Sequence, residues 1–149
     1  MKKLLLITIL SVALQNYTDA SPSISAESSD SPEVLEQNLG YHDITTEELK
    51  RLIDEKANFV LLDTRVNKFY DGRRIPGAVR MLRNSSPEQI ARIIKSYDVQ
   101  VVVYCTSSHC PVSRWMAQKL VNLGYSNVWE YPEGIDGWID AGNEVDIDN

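Results

Sequence analysis

Cysteine and histidine are scarce in this chain, with two of each among 149 residues. Two cysteines are too few for a disulfide-built scaffold, so the placement of each needs a local explanation. With His42 and His109 as the only histidines, a Cys/His metal site lacks ligands, and neither a metal nor another cofactor is expected. Positive charge is also in short supply: the formal net charge is −6, which argues against nucleic acid or an anionic membrane surface as a partner. Long apolar runs are missing as well. The run from Leu4 to Leu14, interrupted by Thr8 and Ser11, has eleven residues. At about 1.5 Å per residue it is too short for a hydrocarbon core of about 30 Å, so no permanent membrane span is predicted. No cysteine follows closely on that run to support a lipid anchor, and no internal repeat is visible.

The same short run, preceded by Lys2 and Lys3 and closed by a polar stretch ending at Ala20, reads as a secretory signal peptide over residues 1–20. Export follows as the expectation, with the periplasm as the default destination. Cleavage near Ala20 removes Lys2, Lys3 and Asp19, taking the net charge from −6 to −7 and leaving 129 residues, enough for one domain with a real core. Residues 21–40 hold six serines, two prolines and four acidic residues. Such a segment buries too little to repay its ordering and is predicted to be a flexible tether ahead of a domain at 41–149.

From residue 45 onward helical and strand patterns alternate. Thr45 with Glu48 forms a capping box for a helix running to about Lys56, with Leu49, Leu52 and Ile53 on one face. Phe59–Leu62 is an unbroken apolar run ending at Asp63, the pattern of a strand buried on both faces. Ser86-Pro87-Glu88-Gln89 repeats the helix-start signal ahead of Ile90, Ile93 and Ile94. Residues 101–104 form a second buried strand, and Val112, Trp115, Met116, Leu120 and Leu123 space as an amphipathic helix that Gly124 stops. A strand near 127–131 and a helix near 135–141 complete the order. Strands separated by helices predict right-handed crossovers and an α/β fold, a small open parallel sheet with helices on both faces. Trp115, Trp138 and Tyr131 are assigned to the core.

Val101-Val102-Val103-Tyr104 delivers Cys105 to the C-terminal tip of a strand just before a helix, which is where open α/β sheets do their chemistry. Unpaired N–H groups and the positive end of the helix dipole favour a thiolate there. A free thiol pKa near 8.5 falls to between about 3.5 and 7.5 in such a setting, so Cys105 is the candidate nucleophile, open to solvent and ionised. The loop residues Thr106, Ser107, Ser108, His109 and Cys110 are the candidate substrate cradle, their amides suited to an anion. His109 reads as a solvated loop residue more than as a general base, although its imidazolium favours the thiolate. Asp63 and Arg65 are candidate supporting residues, better read as an ion pair or brace beneath the loop than as substrate groups. Arg73 and Arg74 either add positive potential near the cleft or are solvated, and Arg74 is kept as a supporting candidate.

Five segments taken in order resemble a rhodanese-like domain. They are Leu61-Leu62-Asp63-Thr64-Arg65; Gly72-Arg73-Arg74-Ile75-Pro76-Gly77-Ala78; the strand-borne Cys105; Leu120 to Val128; and Gly134-Ile135-Asp136-Gly137-Trp138-Ile139-Asp140-Ala141-Gly142. The resemblance runs from about Asp43 to Val145. It implies a rhodanese-like α/β/α sandwich and a sulfurtransferase in which Cys105 accepts sulfane sulfur as a persulfide and passes it on. The implied partners are a small sulfur donor, such as thiosulfate, and a thiophilic acceptor.

Two departures keep other readings open. In this family and in the phosphatases that share its fold the loop is shorter and commonly carries a basic residue. Here the first arginine is Arg114, nine positions on, so the Cys-x5-Arg signature of phosphate ester hydrolysis is absent. Cys110, five residues after Cys105, forms a disulfide if the Cα atoms lie within about 7 Å. That spacing supports a thiol–disulfide redox or redox-regulated protein in which Cys110 resolves what Cys105 attacks. A non-catalytic rhodanese-like docking module is the third reading.

Overall fold

The computed structural model describes residues 39–148. The signal peptide read over 1–20 and the tether as far as residue 38 lie outside the described residues. The elements follow in the order β1 (His42–Asp43), α1 (Thr46–Asp54), β2 (Phe59–Asp63), a 3-10 turn (Asn67–Phe69), β3 (Arg73–Arg74), β4 (Val79–Arg80), α2 (Pro87–Ile93), β5 (Gln100–Tyr104), α3 (Val112–Asn122), β6 (Val128–Tyr131), α4 (Gly134–Asp140) and β7 (Asp146–Ile147).

Five strands form one parallel sheet in the order β1-β6-β5-β2-β4, with β5 at its centre. Successive strand residues point to opposite faces, and the sequence of β5 uses both. Val101 and Val103 join Leu62 in a core with Ile90 and Ile94 of the α2 region and with Met116, Ala117 and Leu120 of α3. Val102 and Tyr104 join Leu61 in a second core with Leu49 of α1 and with Ile135 and Trp138 of α4. The sheet is thus covered on both faces, which is why its central strands carry no polar alternation. This is the α/β sandwich expected from the sequence.

The helix ends obey the local signals. Thr45 and Ser86 each close a capping box, and Pro87 opens α2. Gly124, at φ +95°, follows α3 in the left-handed conformation that a helix terminus needs and that glycine adopts without cost.

Several elements differ from the sequence reading. The edge strands β1 and β4 have two residues each, and β3 pairs antiparallel with β7 in a separate ribbon. Pieces this short carry no periodicity to read. Trp115 is half exposed on α3 and not in the core, with the Arg83 guanidinium 4.3 Å above its ring. Trp138 and Tyr131 are buried as expected. Among the described residues no helix is long and apolar enough to cross a membrane.

Candidate active site

Cys105 follows directly on β5, and the floor beneath it is tied together by hydrogen bonds and an ion pair. The Thr64 amide and hydroxyl both donate to the Tyr104 carbonyl, at 2.9 and 2.7 Å, tying the ends of β2 and β5 together. Below that lies a buried ion pair. Arg65 donates through Nε and Nη2 to the Asp63 carboxylate, with the Nη2–Oδ2 contact at 2.6 Å, and both side chains are essentially inaccessible. Tyr104 Oη donates to Asp63 Oδ2 at 3.1 Å, and Arg65 Nη2 also donates to the Arg73 carbonyl. Burial lowers the Arg65 pKa, but the hydrogen bonds and charge of Asp63 outweigh it and leave it raised, so the guanidinium stays charged. Asp63 and Arg65 are a brace under the loop and touch none of the cleft above it.

The loop itself, residues 105–111, is held from three sides. The carbonyls of Cys105 and Thr106 accept from the Ile135 and Asp136 amides at the start of α4, both at 3.0 Å. Gly134, at φ +65°, permits this approach: a Cβ there would stand 2.6 Å from those same carbonyl oxygens. The Cys110 amide donates to the Ser107 carbonyl at 2.9 Å and tightens the turn. From outside, Arg114 Nη2 donates to the Ser108 carbonyl at 3.2 Å while its Nε lies 3.7 Å from Glu130 Oε1. Glu130 is buried on β6 and accepts from Ser113 Oγ at 2.8 Å; burial raises its pKa, against the opposing pull of Ser113 and Arg114.

The two cysteines are joined. Cys105 and Cys110 form a disulfide across Cα atoms 6.1 Å apart. This corrects the expectation of an open, ionised thiol, because Cys105 is only 2% exposed and its sulfur is bonded in this state. Cys110 is the more accessible partner, one residue ahead of Pro111, the N-cap of α3. Thr106 Oγ1 stands 4.0 Å from Cys105 Sγ; a disulfide sulfur has no hydrogen to give, so only the hydroxyl can donate. The N–H groups of Thr106, Ser107, Ser108 and His109 find no acceptor among the described residues.

A cleft of about 370 Å³ opens over the disulfide, lined by Cys105, Thr106, Ser107, His109, Cys110, Pro111 and Val112 and walled by Val66 and Phe69. Ser108, a candidate for substrate contact, is not in it. Its carbonyl is committed to Arg114, and it borders a separate cleft of about 570 Å³ with Tyr41, His42, Asp43 and Glu130. Arg74 is likewise not brought to the loop: it pairs with Asp146 at 3.8 Å and with Asp148, fastening β3 to the C-terminal strand. Arg73 is engaged by Asp71. Sequence patterns had no means of finding Val66 and Phe69, which sit at the start and end of the short 3-10 turn, held by Arg80 through the Arg65 carbonyl and Asn67. A larger groove of about 670 Å³, lined by Val60, Gln100 and Asn127 among others, lies at the opposite, N-terminal ends of the strands and is lined by no cysteine. Among the described residues no group of three or more His, Cys, Asp or Glu side chains is placed to hold a metal.

A family model described as the rhodanese-like domain matches residues 45–141. No curated protein matches the chain. Among solved structures, the BH2092 protein of Bacillus halodurans superposes with a TM-score of 0.64 at 24% identity, over 70% of this chain and 76% of that one. A rhodanese-related protein of Thermoplasma volcanium gives 0.59 at 22%, over 72% of this chain and all of its own. A thiosulfate sulfurtransferase of Pseudomonas aeruginosa gives 0.61 at 25%, over 73% of this chain, which spans only 21% of that larger protein.

Proposed function

The chain belongs to the rhodanese-like domain family, and on that premise we propose that its reduced form is a sulfurtransferase that takes a sulfane sulfur onto Cys105 as a persulfide and passes it to a thiol acceptor. The observation that carries this reading is the position of Cys105: it follows the central strand at the base of the cleft, where Thr106, Ser107 and His109, whose amides find no acceptor among the described residues, line the same cleft with the start of α3 behind them. After reduction the same donors lower the thiol pKa and stabilise a thiolate or a persulfide anion. The thiolate attacks the outer sulfur of the donor, the new S–S bond forms at Cys105, and the donor leaves as sulfite or as a thiol.

The lining of the cleft bears on the donor. Among the described residues no lysine or arginine lines it, His109 is its one basic side chain, and Val66, Phe69, Pro111 and Val112 make its walls apolar. A doubly charged thiosulfate finds little compensation there beyond backbone donors, so alkyl persulfides and polysulfides are the preferred donor class. The thiosulfate sulfurtransferase neighbour supports the chemistry in general without fixing this choice. Export through residues 1–20 is part of the same proposal; an oxidising compartment is where such a disulfide persists.

Intact mass tests the proposal. Fully reduced protein, desalted and treated with glutathione persulfide, is expected to take up one sulfur at Cys105, seen as a gain of about 32 Da for as long as the adduct lasts, and Cys105→Ser none. To catch a short-lived adduct, the Cys110→Ser protein is treated in parallel. No gain in either of the two proteins that retain Cys105 contradicts the proposal. A second reading, thiol–disulfide exchange without sulfane sulfur, is favoured by the disulfide itself. It predicts full dithiol oxidation of a reduced peptide and no mass gain with any sulfur donor.

A further inference from the structure

The cleft holds two sulfurs, and persulfide transfer to an outside acceptor uses one of them. Cys110 stands within bonding reach of Cys105 Sγ, on a loop whose shape is fixed by the Cys110–Ser107 hydrogen bond, by Arg114 on the Ser108 carbonyl and by α4 on the carbonyls of residues 105 and 106. Any sulfur added to Cys105 is therefore attached to an atom that Cys110 already approaches along a bonding path. We infer that Cys110 is the resolving group of the reaction: it discharges the Cys105 persulfide as hydrosulfide, and the true acceptor of the cycle is a dithiol. This rests on the persulfide reading above and names its second half-reaction.

The Cys105 thiolate first takes the outer sulfur of an alkyl persulfide R–S–SH, and the alkyl thiol R–SH departs. The Cys110 thiolate then attacks Cys105 Sγ; the bond between that atom and the outer sulfur breaks, and the electron pair leaves with hydrosulfide. The product is the Cys105–Cys110 disulfide present in the structure. Hydrosulfide leaves more readily than an alkyl thiolate, because exchange favours the leaving sulfur of lower pKa. Cys110 precedes the N-terminal end of α3, where the helix dipole favours its thiolate form, and the fixed loop gives the attack the advantage of an intramolecular reaction. A dithiol then reopens the disulfide by attacking Cys110, the more accessible cysteine of the pair, and its second thiol closes the resulting mixed disulfide. The sum is one alkyl persulfide plus one dithiol giving one alkyl thiol, one hydrogen sulfide and the cyclised disulfide of the acceptor. The exposed apolar side chains of Val66 and Phe69 stand beside the sulfur that the dithiol must reach, so the partner is a protein dithiol flanked by apolar residues.

A single-turnover experiment tests this. Reduced, desalted wild type and Cys110→Ser are each mixed with one equivalent of glutathione persulfide and no other thiol, with Cys105→Ser as the background for sulfide carried by the reagent. The wild type is expected to release about one sulfide per chain and to lose both free thiols, while Cys110→Ser releases none and keeps the added sulfur. Dithiothreitol then restores both wild-type thiols and permits a second round. If the wild type keeps its added sulfur as Cys110→Ser does, the resolving role is overturned and the persulfide reading stands. If the extra sulfur is found on Cys110, the direction of attack is overturned. If neither protein gains sulfur, the persulfide reading fails and takes this inference with it.

Discussion

Glu130 is a carboxylate that the fold has taken out of water, one strand over from the strand that ends at Cys105, with Ser113, Arg114, Asp43 and Tyr41 around it. Its pKa is raised chiefly by burial. A raised folded-state value means that its protonated form is the one folding favours, so its contribution is present at low pH and is lost as pH rises through the raised value. Urea denaturation of wild type and Glu130→Gln at pH 4.5 and pH 7.5 is expected to show the difference moving in favour of the glutamine variant at the higher pH. A difference that stays constant, or moves the other way, contradicts this assignment. Asp63 and Arg65 make the opposite kind of pair, buried and mutually neutralised. Removing one partner, as in Asp63→Asn, takes from the buried guanidinium its buried counter-charge and leaves only the half-exposed Asp71 at 3.4 Å, and is expected to cost about 3 kcal/mol by chemical denaturation. A loss below about 1 kcal/mol, the worth of an exposed pair, excludes the bracing role.

At the level of elements the decisive unit is β5, loop and α3, clamped by the start of α4. Gly134→Ala forces a Cβ to 2.6 Å from the carbonyls of Cys105 and Thr106 at a φ of +65°. Left-handed backbone alone costs about 1–2 kcal/mol, so a total loss of at least about 2 kcal/mol is expected, together with faster exchange of the Ile135 and Asp136 amides that donate to those carbonyls. Unchanged exchange there means α4 does not hold the loop. This unit was largely legible in the sequence, because the run of three valines, the cysteine after it and the amphipathic spacing beyond Pro111 each carry a local signal. Thr45, Ser86 and Gly124 marked their helix ends for the same reason. What stayed hidden depends on tertiary contact. The two-residue strands β1 and β4 exist only by pairing with longer neighbours. The Arg114 grip on Ser108 and the seating of the loop on Gly134 join residues that no periodicity relates. Arg74 held a fitting motif position, yet its partners, Asp146 and Asp148, come from the far end of the described chain. The loop cysteine was found at its expected place but in an oxidised state, which spacing permitted without deciding.

For the molecule as a whole, the disulfide is a cross-link. It closes a short loop, with a sequence separation of 5, for which chain entropy predicts about 2 kcal/mol of stabilisation. Urea denaturation with and without reductant is expected to show that loss in the wild type and none in a Cys105→Ser, Cys110→Ser double variant. Equal stability of the wild type under both conditions contradicts a closed bridge in solution. The sandwich beneath, with its two cores on either face of β5, does not depend on the bridge, so the reduced protein stays folded and available for chemistry. The central claim is that Cys105 carries the transferred sulfur, and the most direct test locates that sulfur. Reduced Cys110→Ser, treated with glutathione persulfide and trapped by rapid alkylation, is digested and sequenced by mass spectrometry. The account predicts one added sulfur, about 32 Da, on the peptide bearing Cys105. A peptide that contains unmodified Cys105 after every sulfur donor contradicts it.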